Sequence, residues 1–303
     1  MSVTTDAQSQ LARRPSRTAQ LMAVQRGLES ARSTQTRLFE DPLAERFVSP
    51  AWRFALLGAR LVVVRRAIEA IYDLVGGPGP RASAIARTKL IDDLICEASP
   101  SIDQLVILGA GYDTRARRLD CLSDRAVYEI DHPNTQAYKR TVLARAKLSA
   151  ARAPRYVAVD FERDDLTAAL IASGYQPARR SMFLWEGVTQ YLSSEAVDKT
   201  LSAIHQAARQ GDTLVFTYVD DAVLRGEDDR FPEAARWLHG TANRGEPWIF
   251  GVSPAGLHDY LRARGFCLVG DLSTRQAGER YFPPLRRHDR GSDLYHVATA
   301  TIS

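Results

Sequence analysis

The stretch Leu105-Val106-Ile107-Leu108-Gly109-Ala110-Gly111-Tyr112-Asp113-Thr114-Arg115 decides the fold of this chain. A short apolar run is broken by two glycines with one residue between them, and a polar segment that can form a helix follows. This pattern predicts a strand, a tight turn and a helix, with the turn in contact with an adenosine-bearing cofactor. Because Gly109 and Gly111 lack a Cβ atom, the chain can bend sharply there and lie against a ligand.

A second apolar run, Val127-Tyr128-Glu129-Ile130-Asp131, follows about twenty residues later. It predicts a strand that ends in a carboxylate. A carboxylate at that place can accept hydrogen bonds from both hydroxyls of a ribose. The glycine turn and Asp131 together therefore predict a nucleotide-type cofactor site.

The rest of the chain alternates between predicted strands and predicted helices. Helical patterns cover residues 84–96, 114–119, 135–148, 166–173, 194–208 and 254–264, and strand patterns cover 156–159, 182–185, 213–218, 266–269 and 294–302. Such alternation predicts an α/β fold, a Rossmann-like core with a mostly parallel sheet and right-handed crossovers. The last strand suits an antiparallel addition to that sheet.

The residues before Gly76 have helical spacing and no strand signal, and the run Gly76-Gly77-Pro78-Gly79-Pro80 ends this region. We therefore predict an N-terminal helical cover over residues 1–80 and a core over 81–303, with a charged, irregular lid insertion around 220–252. The apolar stretch Ala55 to Val64 is too short to span a bilayer and predicts a packed helix.

Composition excludes several classes of protein. The chain has 303 residues, a net charge of +4 and 45% hydrophobic residues, which are ordinary values for a globular protein. No dense run of Lys and Arg is interleaved with aromatic residues, so we expect no nucleic-acid partner, and we expect no membrane partner. Cys96, Cys121 and Cys267 have no metal-ligand spacing, which predicts buried hydrophobic side chains in a reducing cytoplasm and no metal site.

Four successive predicted strands end in a glycine turn or a carboxylate. The four ends are Gly109 to Asp113, Asp131, Asp160-Phe161 and Glu186-Gly187. Ligands of open parallel sheets bind beyond the carboxyl ends of the strands, so these ends predict one site. The alternative is that each acid only caps the helix that follows it.

Several motifs of this chain together resemble those of a known protein family. The motifs that carry the resemblance are Arg87-Thr88 with Asp92-Asp93, the glycine turn 108–114, Glu129-Ile130-Asp131, Val159-Asp160-Phe161, and Trp185-Glu186-Gly187-Val188 with Tyr191-Leu192. The chain resembles the leucine carboxyl methyltransferase family, and most closely its bacterial branch of S-adenosylmethionine-dependent O-methyltransferases, which includes enzymes acting on polyketides. The resemblance covers most of the chain up to Tyr218, including the helical start.

The resemblance implies S-adenosyl-L-methionine as the cofactor and a class I methyltransferase core. It implies that Arg87 holds the methionine carboxylate, for which a planar guanidinium suits better than an ammonium. It implies that Glu186 lines the methionine portion near its ammonium and that Asp131 binds the ribose. Arg26 is either a second carboxylate contact or a solvated helix charge.

The resemblance also implies contacts along the adenosine. The turn formed by Gly109, Ala110, Gly111 and Asp113 lies against the cofactor, with Gly109 giving the close approach to the methionine moiety. Asp160 accepts a hydrogen bond from the adenine amino group, while the backbone of Phe161 faces the ring.

The methyl group on a sulfonium is already activated, so the protein has to align the reacting atoms and exclude water. A carboxylate acceptor is ionised at neutral pH and needs no base, whereas a phenol needs a base or a strong positive field, for which His239, His258 or an arginine of the lid is a candidate. We expect a carboxylate or acidic hydroxyl on a small metabolite. Tyr191 either reaches the substrate cavity or packs in the core. The acceptor and the oligomeric state stay open.

Two alternatives remain at this point. An NAD-dependent dehydrogenase shares the glycine turn and the acid after the second strand, although Thr114 stands where a third glycine would let helix and strand pack closely. A catalytically silent cofactor-binding protein is the other alternative.

Overall fold

The computed structural model describes residues 17–77, 79–146, 152–161, 163–227 and 229–303. The strands in these residues are β1 (Gln104–Leu108), β2 (Ala126–Asp131), β3 (Arg155–Ala158), β4 (Ser181–Trp185), β5 (Thr213–Val219), β6 (Phe266–Ser273) and β7 (Tyr295–Ile302). The helices are α1 (Arg17–Ser30), α2 (Pro50–Gly58), α3 (Val62–Gly76), α4 (Pro80–Ala98), α5 (Arg115–Arg118), α6 (Pro133–Arg145), α7 (Leu166–Ala172), α8 (Ser194–Ala207), α9 (Ala234–Ala242), α10 (Leu257–Arg262) and α11 (Thr274–Tyr281).

The seven strands form one sheet in the order β3-β2-β1-β4-β5-β7-β6. Strands β1 to β5 are parallel, and β7 runs antiparallel between β5 and β6. The strand order reverses between β1 and β4, and in the register there Leu108 lies level with both Ile130 and Trp185. The residues that follow these three strand ends are therefore neighbours at one edge of the sheet.

The predicted α/β fold with a mostly parallel sheet and an antiparallel last strand is confirmed. The differences from the sequence prediction concern the lengths of some elements and two helices, α9 and α11, that the sequence did not predict. The helix after the glycine turn has only four residues, β6 extends to Ser273, and α11 follows it with a capping box on Ser273. Within the predicted lid insertion, α9 buries Ala234 and Trp237 in a small apolar cluster.

Helix α4 is the element that joins the N-terminal helices to the sheet. It begins with proline at its first turn, after Gly79 with a φ of +100°, a conformation that glycine adopts without strain. Its apolar side chains, among them Ile85, Ile91 and Ile95, pack against Ile107 on one face of the sheet. Arg87 and Asp92 are carried on this helix toward the carboxyl ends of the strands.

The expectation of a packed helix over Ala55 to Val64 is wrong. Helix α2 ends at Gly58 and α3 begins at Val62, so a turn interrupts the stretch. Several of its apolar side chains are exposed, including Leu57 and Val63. The reason is that α3 turns Glu69 and Asp73 inward, where they form ion pairs with Arg32 and Arg81. Among the described residues, no helix is both long and apolar enough to cross a membrane.

The expectation for the cysteines is also wrong. A disulfide with a Cα–Cα distance of 5.5 Å joins Cys96 on α4 to Cys121. The pair forms because the end of α4 packs beside the segment that follows α5, a proximity that a separation of 25 residues does not reveal. Cys267 is exposed because β6 is the edge strand. Disulfides are more typical of oxidising compartments, so the cytoplasmic location stays a prediction.

A buried ion pair connects β2 to α6. Lys139 Nζ lies 2.6 Å from Glu129 Oε2, and the side chains are 2% and 3% exposed. Burial raises the pKa of Glu129 to about 7 despite the nearby ammonium. The pair fixes α6 on the sheet next to the site, and each partner depends on the other for its charge compensation.

Replacing Lys139 with Met is expected to lower the free energy of unfolding by about 3–5 kcal/mol near pH 8, because Glu129 is left buried without its cation. The loss is expected to shrink as the pH falls through the pKa of Glu129 in the variant, which the missing ammonium places above the wild-type value of about 7, and to level off below about 7, where the wild-type carboxyl is protonated as well. The native state takes up a proton there that the unfolded chain, with a carboxyl pKa of about 4.3, does not bind. Urea unfolding at several pH values measures both effects.

The exposed Lys199 provides the matched control, and Lys199→Met is expected to change stability by less than about 0.5 kcal/mol. Adding Glu129→Leu to Lys139→Met is expected to recover most of the loss, since no buried charge remains. Equal losses in the Lys139 and Lys199 variants would contradict the role given to the pair.

Candidate active site

The turn after β1 is held in place by backbone hydrogen bonds. The Ala110 N–H donates to the Ile130 carbonyl at 3.0 Å, and the Asp113 N–H donates to the Ala110 carbonyl at 2.7 Å. Gly109 and Gly111 have φ values of +63° and +44°. A Cβ atom on Gly109 would lie 2.5 Å from Val188 Cγ2. Gly109 is therefore required both by its conformation and by the protein segment beyond β4.

The Asp131 side chain is hydrogen-bonded to the backbone of this turn. Its carboxylate accepts hydrogen bonds from the N–H of Gly111 and from the N–H of His132, the latter at 2.7 Å. Burial raises the pKa of Asp131, although these two donors oppose the shift. Each carboxylate oxygen retains a further lone pair, so the group can accept from a ligand while it fixes the turn.

Arg115 is the centre of an ion network behind the turn. Its side chain is almost fully buried, with Nε donating to Asp92 at 2.8 Å and Nη1 donating to Glu186 at 2.6 Å and to Asp113. Arg118 adds two bonds to Asp92, at 2.6 and 2.7 Å. Burial alone would raise the pKa of Asp113, but Arg115 lowers it to about 2. Three carboxylates from three elements thus share one cation.

Arg87 is the second cation that binds Glu186. Its Nε donates to Glu186 at 2.7 Å, and its Nη2 lies 3.4 Å from the Met22 sulfur, which is a weak acceptor. Its guanidinium carbon lies 5.0 Å from the centre of the Tyr295 ring. Burial would raise the pKa of Glu186, but the charges of Arg115 and Arg87 bring it below its usual range. Glu186 is therefore an anion held between two cations.

Asp160 and Phe161 lie one strand further along the same edge. The residue before them, Val159, donates its N–H to the Asp131 carbonyl at 3.0 Å. The Asp160 N–H donates to Asp164 at 2.8 Å, and Phe161 packs half-buried against the apolar core. The structure thus brings the four predicted strand ends together along the sheet edge, while the ion network contains only those after β1 and β4.

The N-terminal helices contact the glycine turn directly. Arg26 on α1 donates through Nη2 to the Tyr112 carbonyl at 2.7 Å and through Nε to Asp41 at 2.8 Å. Asp41 also accepts from the Thr114 hydroxyl at 2.7 Å. Arg26 is thus not a solvated helix charge. It links the helical segment to the turn.

Aromatic side chains border the network beyond Glu186, and we call Tyr191, Trp237, Trp248 and Tyr295 the aromatic wall. The ring centre of Trp248 lies 6.2 Å from that of Trp237 and 6.2 Å from that of Tyr295. Burial and the neighbouring phenol of Tyr295 raise the pKa of Tyr191. Tyr191 is therefore a neutral hydroxyl at the border of the site.

Sequence reasoning missed Arg115, Asp92, Asp41 and three members of the aromatic wall as parts of the site. Arg115 stands directly after the quoted turn and Asp92 lies in a quoted motif. No spacing between the two, however, shows that they form an ion pair. The three missed aromatic residues lie in the insertion and in β7, where no motif marks them, whereas the fourth, Tyr191, was a candidate from the sequence.

Known proteins share much of the sequence of this chain. A family model described as leucine carboxyl methyltransferase matches residues 19–205. A protein of Frankia alni named as an S-adenosyl-L-methionine-dependent methyltransferase is 34% identical over 221 residues, covering 73% of this chain and 74% of the relative. A similarly named protein of Mycobacterium avium is 29% identical over 287 residues, covering 83% and 90%.

Solved structures show the same fold. A methyltransferase of Thermobifida fusca superposes with a TM-score of 0.55 at 19% identity, covering 79% of this chain and 88% of that one. A DUF574 family protein of Streptomyces avermitilis superposes with a TM-score of 0.56 at 14% identity, covering 91% and 100%. The family match spans more than half of the chain, which therefore belongs to the leucine carboxyl methyltransferase family and is an S-adenosyl-L-methionine-dependent methyltransferase.

Proposed function

We propose that this methyltransferase transfers the methyl group to a carboxylate oxygen of a small acceptor, and that the acceptor lies against the aromatic wall. S-adenosylmethionine supplies a methyl group activated by its sulfonium, so that an O–C bond forms as the S–C bond breaks and its electrons stay on sulfur. The observation that carries the proposal is that the aromatic wall, which begins at the Tyr295 ring 5.0 Å from the Arg87 guanidinium carbon and includes the neutral Tyr191 hydroxyl, contains no basic side chain, while the Glu246 carboxylate near Tyr191 is bonded to Thr18. A carboxylate, with a pKa near 4, arrives ionised and needs no base.

The cofactor residues proposed from the sequence suit an amino acid zwitterion. In the part of the chain that the structure describes, the Arg87 guanidinium contacts the weak sulfur acceptor of Met22 and the Tyr295 ring beyond its bond to Glu186, so it can bind a carboxylate. The anionic Glu186 can accept from an ammonium. Asp131 retains acceptor capacity for ribose hydroxyls next to Gly111, and Asp160 with Phe161 lies where the adenine would extend.

The imidazole–carboxylate pair between β7 and β6 points elsewhere. His296 Nδ1 lies 3.1 Å from Asp271 Oδ2, but His296 follows Tyr295 in β7. Successive side chains of a strand point to opposite faces of the sheet, so His296 lies on the other face from the ring that contacts Arg87. His258, a base candidate from the sequence, pairs with Asp259 at the surface. These placements favour an acceptor that is already ionised.

Tyr191 is proposed to orient the acceptor. Because its pKa is raised, its hydroxyl stays protonated and can donate a hydrogen bond to the acceptor carboxylate. A protonated phenol is not a general base at neutral pH. The role fits alignment of the oxygen with the methyl carbon, which is the main task that the protein has in this reaction.

The N-terminal helices and the insertion are proposed to close the site. Arg26 and Asp41 fasten α1 and its following segment to the glycine turn, and Thr18 bonds to Glu246 in the insertion. These contacts place both segments beside the crevice, where they would exclude water. The dehydrogenase alternative is not favoured, since the family match and the relatives are methyltransferases.

The chemistry of the product tests the acceptor. Aromatic carboxylic acids and phenols of matched size are incubated with the protein and methyl-labelled S-adenosylmethionine. We expect the acids to be labelled as methyl esters, which release methanol in mild alkali. Labelling of the phenols alone, as ethers stable to alkali, would contradict the proposal.

Arg87→Lys tests the cofactor contact. An ammonium cannot make two parallel bonds to a carboxylate, so the dissociation constant for S-adenosylmethionine is expected to rise at least about tenfold, with a smaller change in the acceptor KM. Titration calorimetry measures the dissociation constant, and initial rates measure the KM. Arg280 is the matched control, because it lies 5.4 Å from the Tyr281 ring on exposed α11. Equal effects of Arg87→Lys and Arg280→Lys would remove Arg87 from the site.

A further inference from the structure

Helix α3 is oriented with its charged side inward. Arg65 is buried, and Glu69 pairs with Arg32 on the loop after α1. Asp73 accepts two bonds from Arg81, at 2.9 and 3.2 Å. An ordinary surface helix buries its apolar side and exposes its charges. In α3 the ion pairs fix the opposite orientation.

The apolar side of α3 therefore faces away from the protein. In the described residues twelve large hydrophobic side chains are exposed, and nine of them lie between Phe54 and Val75, so the exposure is concentrated on α2, α3 and the turn between them. Val63 is 80% exposed and Leu74 is 78% exposed. Contiguous exposed apolar surface of this kind marks an interaction site.

Four exposed apolar residues form a stripe along α3, and their spacing is the same from either end of the helix. Val63, Ala67, Ala70 and Leu74 are all exposed, with separations of four, three and four residues. These separations place the four on one side of a helix. A second α3 can be laid antiparallel over the first, with the midpoints of the two stripes together. Val63 of each copy then lies opposite Leu74 of the other. The small alanines meet at the centre, which lets the two backbones approach closely.

The charges at one edge of the stripe are also complementary. Arg66 is exposed, and the Asp73 side chain is 37% exposed although it binds Arg81. The two lie seven residues apart, about two helical turns, on the same edge. In the antiparallel pair, a twofold axis places Arg66 of each copy near Asp73 of the other. An anionic lipid surface would instead attract Arg66 and repel Asp73.

We propose that the outward side of α3 pairs antiparallel with α3 of a second copy of this chain, forming a twofold-symmetric dimer. The pair buries the exposed apolar stripe, and opposite charges meet at its edge. Because α3 is fixed to the chain by inward ion pairs, the surface exists before the second copy binds.

Sedimentation equilibrium of the full chain tests the dimer. The wild type is expected to dimerise, and Ala70→Glu is expected to raise the dimer dissociation constant at least about tenfold, because like charges meet at the twofold axis. Ile171→Glu, at an exposed apolar position on α7, is the control and is expected to leave the constant unchanged. Circular dichroism checks that each variant is folded.

Cysteine cross-linking tests the antiparallel register in a Cys267→Ser background, which removes the exposed native thiol. Val63→Cys with Leu74→Cys is expected to give a covalent dimer under mild oxidation. Leu74→Cys alone is expected to give none. Leu74 of one copy is level with Val63 of the other, eleven residues away from the second Leu74, so the two cysteines would be about 16 Å apart along the helices.

Three results would overturn the proposal. The first is that the wild type stays monomeric at every protein concentration. Binding of that monomer to anionic vesicles would be a case of this result. The second is an Ala70→Glu variant that dimerises as tightly as the wild type. The third is a Leu74→Cys variant that cross-links as efficiently as the double variant.

Discussion

The buried guanidinium of Arg115 is the interaction on which the site depends. It binds Asp92 from α4, Asp113 from the glycine turn and Glu186 from the end of β4, so one side chain joins three separate parts of the fold. Removing one member of such a network leaves an unpaired buried charge, which costs several kcal/mol. The arrangement therefore fixes the position of Glu186 before any ligand binds.

The rest of the site follows from that fixed carboxylate. Arg87 is oriented by its bond to Glu186 and by the Tyr295 ring, so its remaining nitrogens have a defined direction. The glycine turn is held from the other side by Asp131 and by Arg26. Preorganised charges of this kind cost no rearrangement when the substrates bind. Under the proposed function, the protein then acts by alignment rather than by supplying a base.

Local pattern was sufficient to predict the main elements of the fold. The apolar run 105–108 and the glycines after it specify a strand and a turn whatever the rest of the chain does. The parallel sheet then places the ends of β1, β2 and β4 side by side, so Asp131 and Glu186 could be assigned to one edge. These predictions depend on short-range periodicity and on the geometry common to parallel sheets.

Interactions between distant residues could not be predicted in the same way. The bond between Arg115 and Asp92 and the disulfide between Cys96 and Cys121 depend on where α4 lies against the segment after β1. The orientation of α3 was missed for a related reason. Its hydrophobic periodicity identifies an apolar side, but the ion pairs to Arg32 and Arg81, together with the packing of Ile68 against the N-terminal helices, hold this side outward.

The most direct test of this account is the affinity of an Arg115→Lys variant for S-adenosylmethionine, measured by titration calorimetry. The compact ammonium of a lysine cannot occupy the separate positions from which Nε binds Asp92 and Nη1 binds Asp113 and Glu186, so the folded variant is expected to bind S-adenosylmethionine at least about tenfold more weakly. Arg264→Lys, at an ion pair with Asp198 away from the site, is expected to bind as the wild type does. Unchanged affinity in a folded Arg115→Lys protein would contradict the central role of this guanidinium.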